Sequence, residues 1–244
     1  MFKEVWNEYK ISFKFLLPFI LLLSVFNSIG LTTNFDNSDF FTRGGSLTKN
    51  FSVFKEIMTT NYLTILFDLF IGSLLILTIL VIINSIYSKN HVRYYEIFKE
   101  SKGLYLKYLV LDIITNSIFV VVSILGFWSV MAPVTILLLI CLSVLLIPCE
   151  AYLVCYNTTP LEALKKGFKV GKKYSGEILI LCITLGILTG LVSLIPTVKT
   201  SMIVLLLANI IKTSIYSYLY AYSINICRKE SKYNKNSKLI NNLT

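Results

Sequence analysis

Four ionisable side chains interrupt stretches that are otherwise apolar: Asp68, Asp112, Glu150 and Lys212. A charge near the centre of a bilayer costs about 2.5–3.5 kcal/mol on insertion scales, so each of the four calls for a partner, a polar cavity or a function. Lys212 lies about 16 Å along a helix from the start of its stretch, beyond easy reach of either surface. It shares a helical face with Asn209, Tyr216, Tyr220 and Ser223, at steps of three and four residues. That stripe is expected to look into a helix bundle. Asp68, with Thr64 and Gly72 at four-residue steps, is the expected partner of Lys212 by depth. Two roles fit such a pair: a buried ion pair that fixes helix register, or a site for a substrate or a proton. Left unpaired, either group would more readily become neutral than stay charged in hydrocarbon.

Asp112 shares a face with Asn116 and Ser123, and Glu150 follows Pro148, whose ring and missing N–H are expected to kink the helix and free a carbonyl near Val144. Asp112, Asn116 and Glu150 therefore form a second candidate polar site. It is expected either to border a cavity opening to the cytoplasm or to reach headgroups and loop lysines.

The elements that position these groups follow from composition. Of 244 residues, 55% are hydrophobic and 15% charged, against roughly 25% charged in an ordinary soluble domain. The five cysteines lie in or beside apolar stretches, which removes a secreted disulfide module and leaves them as inert thiols. About 20 apolar residues cross a hydrocarbon core, and six stretches qualify: 13–31, 62–87, 106–127, 133–154, 178–196 and 201–226. The first lacks a small-residue cleavage pattern and is read as a span. The expected fold class is an all-α polytopic membrane protein with six transmembrane helices in one domain, 1–230, followed by a polar, disordered tail, 231–244.

The net charge of +10 is laid out unevenly. With the N-terminus inside, 18 Lys and Arg fall on the cytoplasmic side and four outside, leaving Lys212 within a span. By the positive-inside rule this places the chain in the cell membrane with both termini cytoplasmic. The outer connection Thr32–Asn61 is long, whereas those at Trp128–Pro133 and Pro196–Thr200 are tight turns. Trp6, Phe127 and Trp128 sit where aromatic rings favour the interface.

Three segments resemble one another. Phe2-Lys3-Glu4-Val5-Trp6, Tyr94-Tyr95-Glu96-Ile97-Phe98 and Pro160-Leu161-Glu162-Ala163-Leu164 each centre on Glu followed by two apolar residues, with lysines and a span beyond. The chain thus reads as three repeats of interfacial helix, outward span, turn and inward span. In the third, Thr159 as N-cap, Pro160 at the first helical position and Glu162 form a capping box. Leu161, Leu164 and Phe168 line one face of that helix. Lys165, Lys166, Lys169, Lys172 and Lys173 occupy the rest and are candidate contacts for anionic lipid headgroups. In the fifth span, Gly186 and Gly190 make a small-xxx-small face beside Cys182, expected to pack within the chain or against a second copy.

The stretch Leu146-Ile147-Pro148-Cys149-Glu150, then Thr159 to Lys169 and Gly171-Lys172-Lys173, is similar to bacterial six-span membrane proteins of uncharacterised function. That group includes the membrane domain of glycerophosphoryl diester phosphodiesterases. The resemblance implies a fold rather than that enzyme's activity, since no soluble phosphodiesterase domain is present.

Common catalytic chemistry finds no motif. His91 is the single histidine, so H-E-x-x-H zinc sites and multi-histidine metal centres are excluded. There is no G-x-S-x-G elbow, no G-x-x-x-x-G-K-[ST] loop, and no G-x-G-D around either aspartate. No cofactor or metal is implied, and the basic residues need no nucleic acid to explain them, because they track one membrane face. The expected function is non-enzymatic: lipid or partner docking through the basic helices. The alternative is a transporter or an ABC-exporter permease subunit, paired with a membrane or ATPase partner, with a polar path near Asp68 and Lys212.

Overall fold

A computed structural model describes residues 2–28, 59, 62–89, 93–126, 129–194 and 202–241. The long connection at 32–61, His91, Phe127, Trp128 and the turn at 196–200 lie outside them, apart from Thr59. The described residues are helical and contain no strand. Helix α1 is Phe2–Ser28; α2, Tyr62–Phe67, continues through a π-helical turn, Asp68–Gly72, into α3, Ser73–Lys89. Helix α4 is Tyr94–Leu125, and a 3₁₀ turn at Ser129–Met131 leads into α5, Ala132–Tyr156. The remaining helices are α6, Pro160–Lys173, α7, Ser175–Ser193, and α8, Met202–Asn241. Six helical stretches are long and apolar enough to cross a membrane: Phe2–Ser28, Tyr62–Ser88, Tyr94–Leu125, Ala132–Tyr156, Ser175–Ser193 and Met202–Glu230. The all-α polytopic architecture read from hydropathy is the one the chain adopts.

The C-terminal halves of α3, α5 and α8 meet at the centre. Leu77–Ile83, Cys149, Ala151, Leu153 and Ala221–Cys227 are all buried. Polar atoms stitch the three together: Tyr156 Oη donates to the Cys227 carbonyl at 2.7 Å, the Cys227 thiol to the Pro148 carbonyl at 3.6 Å, and the Cys155 thiol to Asn84 Oδ1 at 3.6 Å. The other helices bridge this triangle in pairs. Helix α1 packs on α3 and α8, α4 on α3 and α5, and α6 with α7 on α5 and α8. In contrast, no residue of Tyr62–Phe67 is buried, and Leu137, Ile140, Met202 and Ile203 stand in the open. Apolar residues left bare on a helix that long are matched by lipid tails rather than by water.

The threefold pattern survives in the burial. Counting from Glu4, Glu96 and Glu162, the residues one, five and eight positions on are buried in every copy: Val5, Tyr9 and Ser12; Ile97, Ser101 and Leu104; Ala163, Gly167 and Val170. The first two copies continue in step with Leu16 and Phe19, and with Tyr108 and Leu111. Steps of four and three keep one face of a helix toward its neighbours.

Separate interfacial helices in all three copies were expected, and this is corrected. Helices α1 and α4 run unbroken from their basic segments into their spans, α1 passing through Pro18. Only the third copy breaks, at Tyr174, where glycines flank the joint at Gly171 and Gly176. Helix α8 likewise continues to Asn241, through most of the stretch expected to be a disordered tail. Nothing in 227–241 is glycine or proline, so the backbone meets no breaker.

The closest helix contact is one that small residues permit. A Cβ added at Gly167 would lie 2.5 Å from Cys149 Cα, and one at Gly171 would run into the Leu145 carbonyl oxygen. Ala163, Gly167 and Gly171, at four-residue steps, let α6 double back along α5 with their backbones touching. The glycines expected to do this, Gly186 and Gly190, do not: among the described residues a Cβ at either meets nothing within 4 Å. Leu185 and Thr189 are the buried face of α7, and these glycines stand one residue, or 100°, away from it. Thermal unfolding in detergent therefore separates the two pairs. Gly167→Leu and Gly171→Leu should each destabilise by about 1–3 kcal/mol, whereas Gly186→Leu and Gly190→Leu leave the midpoint close to the parent's.

Candidate functional site

Spans two, three, four and six bring an acidic group of side chains together. Ser73 opens α3 and donates to Asp112 Oδ2, while Asn116, one turn further along α4, donates from Nδ2 to Asp112 Oδ1 at 2.9 Å. Both oxygens of that carboxylate are thereby held. Tyr108, one turn before Asp112, donates to Glu150 Oε2 at 2.8 Å. The Asp112 carboxylate lies within electrostatic range of both Glu150 and Asp68, and Tyr220 of α8 lies within range of all three. Glu150 and Tyr220 are each half-buried.

The backbone around Asp68 is irregular for a reason. Asp68–Gly72 is π-helical, and the Asp68 carboxylate folds back over Gly72, where a Cβ would come 2.5 Å from Oδ1. A larger residue there would push the Asp68 carboxylate aside. Widened turns of this kind recur at functional sites because they re-aim side chains and loosen the carbonyl ladder. Here the Phe70 carbonyl, within the turn, accepts a hydrogen bond from Tyr105 Oη at 3.0 Å.

The expected pairing of Asp68 with Lys212 is not made: no ion pair among the described residues includes either. Asp68 has Asp112 as its charged neighbour instead. Depth matched the two residues, but depth leaves helix rotation free. Helix α8 buries Thr213, Ser217 and Ala221, so the stripe of Asn209, Lys212 and Tyr216 is turned one residue aside, and Tyr216 is 51% exposed. Asn209 Nδ2 donates to Ser28 Oγ of α1 at 3.0 Å. Lys212 is half-buried on the same flank.

Asp112, Asn116 and Glu150 share one neighbourhood. Ile83, Ile86, Leu153, Val154, Ile224 and Ile226 fill the space toward the C-terminal ends of α3, α5 and α8. Exposure rises the other way, through half-buried Asp112 to exposed Asn116 and Asp68. Helix α5 runs on through Pro148, whose own carbonyl receives the Cys227 thiol.

The basic helix, packed on α5, forms as its sequence requires. Asn157 closes α5 in the left-handed region at φ 48°, which a short polar side chain tolerates. Thr159 Oγ1 then accepts from the Glu162 N–H at 3.3 Å, and Pro160 occupies the first helical position. Lys165, Lys166, Lys169, Lys172 and Lys173 are all exposed. Leu161 is 70% exposed and Phe168 38%, so the apolar face expected to enter the acyl boundary is free to do so. The Glu162 carboxylate, hydrogen-bonded to Lys166, holds that ammonium above its ordinary range and hence charged. Lys173 reaches Glu230 of α8 at 2.6 Å, tying the helix to the last span.

Several residues of these sites carried no separate signal: Ser73, Tyr105 and Tyr108 are common residue types in apolar helices. The face shared by Asp112 and Asn116 was legible, but their partners across the bundle were not. No group of three or more potential metal ligands occurs among the described residues. No protein-family model, curated protein or solved structure matches the chain. The resemblance to six-span bacterial membrane proteins therefore rests on the motif around Pro148 and Thr159–Lys173 alone.

A double-mutant cycle measures the contacts of the acidic group. Tyr108→Phe with Glu150→Gln should couple by about 0.5–3 kcal/mol, whereas Asp68→Asn with Lys212→Met should be additive within about 0.5 kcal/mol. Chemical denaturation in mixed micelles reads both.

Proposed function

We propose that this integral membrane protein is non-enzymatic, resides in the cell membrane with both termini in the cytoplasm, and docks anionic lipid headgroups through α6. The observation that carries the reading is the state of that helix: its small-residue face is fixed to α5 while all five lysines stay exposed beside Leu161 and Phe168. A helix fastened to the bundle presents its charges in one geometry, and each Lys near an anionic surface contributes about 1 kcal/mol. The charge asymmetry of the loops supports the orientation.

The test is lipid retention. Protein reconstituted in phosphatidylcholine with a minor fraction of phosphatidylglycerol should enrich the anionic lipid around it, more weakly as salt rises. Replacing Lys165, Lys166, Lys169, Lys172 and Lys173 with Gln should remove most of the enrichment while the unfolding midpoint falls only by the small amount that the Lys173–Glu230 bridge contributes. Enrichment unchanged in that variant would refute the docking role.

A second reading is favoured by the acidic group. Tyr108, Glu150, Asp112, Ser73 and Asp68 form one group of neighbouring polar side chains, through which a proton or a small cation could pass. It replaces the path through Lys212 with one through Asp112. In proteoliposomes with a pH-sensitive dye inside, it predicts a flux that Glu150→Gln and Asp112→Asn each abolish and Lys212→Met does not; a flux indifferent to the carboxylates would contradict it.

A further inference from the structure

Helix α6 runs along α5 rather than away from it. Gly167 lies against Cys149 and Gly171 against Leu145, so the two helices are antiparallel in one fixed register, and the Cys149 thiol donates to the Leu164 carbonyl at 3.6 Å within it. That register sets Pro160 opposite Tyr156, Lys169 opposite Ile147, Lys172 opposite Val144 and Lys173 opposite Ser143. Thirteen residues separate Ser143 from Tyr156, the inner end of the fourth span, which is about 20 Å of helix at 1.5 Å per residue. A hydrocarbon core is about 30 Å thick. A membrane surface drawn at Tyr156 would therefore put exposed Lys169, Lys172 and Lys173 inside the hydrocarbon, the last two past its midplane, where an ammonium is among the costliest groups to leave.

Burial along α5 and α8 changes at the same level. Of residues 132–143 only Thr135 is buried, with Val134, Leu137 and Ile140 bare, whereas seven residues from Val144 to Val154 are enclosed. On α8, Met202, Ile203, Leu207 and Ile211 are bare, and 221–227 are buried without a break. Bare apolar flanks are matched by lipid tails; flanks sheathed by neighbouring helices need none. Charge follows the same division. From Ala132 to Cys149 α5 carries no Asp, Glu, Lys or Arg, and α7 carries none after Glu177. Glu177 itself, in the first turn of α7 and just past the break at Tyr174, is exposed and accepts from Tyr222 Oη at 2.6 Å.

We propose that the cytoplasmic membrane surface crosses the bundle at the joint of α6 and α7, level with Leu145 of α5, and that α6 stands upright there, with Lys169, Lys172 and Lys173 on the phosphates of anionic lipids and Lys165 and Lys166 in water beyond them. Lys165 lies about 10 Å down the helix from Lys172, and a headgroup layer is about 5–7 Å deep on each side. The docking reading thus narrows to the end of α6 nearest α7, and Leu161 lies clear of the acyl chains. The inner halves of α3, α5 and α8 form a packed core outside the hydrocarbon. Helix α7, Ser175–Ser193, keeps a length of about 28 Å with which to cross. Residues 129–144 supply about 25 Å, so the bilayer thins by a few Å beside the α4–α5 hairpin. The partner assigned to the lysines rests on the docking reading above; the level rests on the α5–α6 register.

Nitroxide depth profiling of the full-length chain, in vesicles of phosphatidylcholine with a minor fraction of phosphatidylglycerol, tests it. Labels are placed singly at Lys165→Cys, Lys172→Cys and Ile180→Cys, all exposed positions, with exposed Cys141 replaced by alanine. Each is compared for collision with oxygen, which collects in hydrocarbon, and with a water-soluble nickel chelate. A gradient is expected, with nickel accessibility falling several-fold from Lys165 to Lys172 and again to Ile180. Equal depth at Lys165 and Lys172 would overturn the proposal in favour of a helix lying flat, and a Lys172 label as deep as Ile180 would overturn it by putting the surface at Tyr156. Glutamine at Lys169, Lys172 and Lys173 should remove most of the lipid enrichment that the five-Gln variant loses, and glutamine at Lys165 and Lys166 less than about a quarter of it, since charge acts over about a Debye length. Equal losses from the two sets would also overturn it. A depth gradient in a protein whose five-Gln variant keeps its lipid would sustain the level and count against docking alone.

Discussion

The meeting of the C-terminal halves of α3, α5 and α8 is the constraint on which the rest of the molecule depends. In a bilayer the lipid tails are as apolar as leucine, so helices gain little from burying apolar surface against one another. Association has to come from close packing and from hydrogen bonds that lipid cannot offer. The triangle supplies both. Leu77–Ile83 and Ala221–Cys227 are enclosed, and Asn84, Cys155, Tyr156 and Cys227 bond across the joints. Each outer helix then needs only to fill the groove between two of the three. That is why one burial register recurs from Glu4, Glu96 and Glu162 in three helices of different sequence.

Hydropathy made the six spans legible, because the backbone has no alternative in hydrocarbon but to close its own hydrogen bonds, although α1 and α4 begin well before their apolar stretches. The Thr159–Glu162 cap was legible for the same local reason. What periodicity left open was rotation. The stripe around Lys212 obeyed helical spacing, yet α8 turns Thr213 and Ser217 inward instead, and the ion pair with Asp68 does not form. The glycines tell the same story: Gly186 and Gly190 had the spacing for close approach, as did Ala163, Gly167 and Gly171. Only the second set meets a neighbour, since that choice is made by which helices the chain folds side by side.

The polar groups divide by what surrounds them. The carboxylates of Asp112 and Glu150 accept from neutral partners, Ser73, Asn116 and Tyr108, beside the packed triangle. Arg228 lies against the Asn84 carbonyl at the inner end of the same triangle, near the end of the last span. A barrier of packed Ile, Leu and Val therefore separates an acidic interior from a basic rim, and the lysines of α6 extend that rim along α5.

A cross-link between the second and fourth spans tests the triangle most directly. With Cys155 kept and the other native cysteines replaced by serine or alanine, Asn84→Cys places two thiols where Cys155 Sγ now lies 3.6 Å from Asn84 Oδ1. A short bifunctional maleimide or mild oxidation should join them within one chain, detected as a linked peptide pair by mass spectrometry. The same substitution paired with Cys141, exposed in the other half of α5, should give no link. Linkage to Cys141 and not to Cys155 would contradict the arrangement of the core.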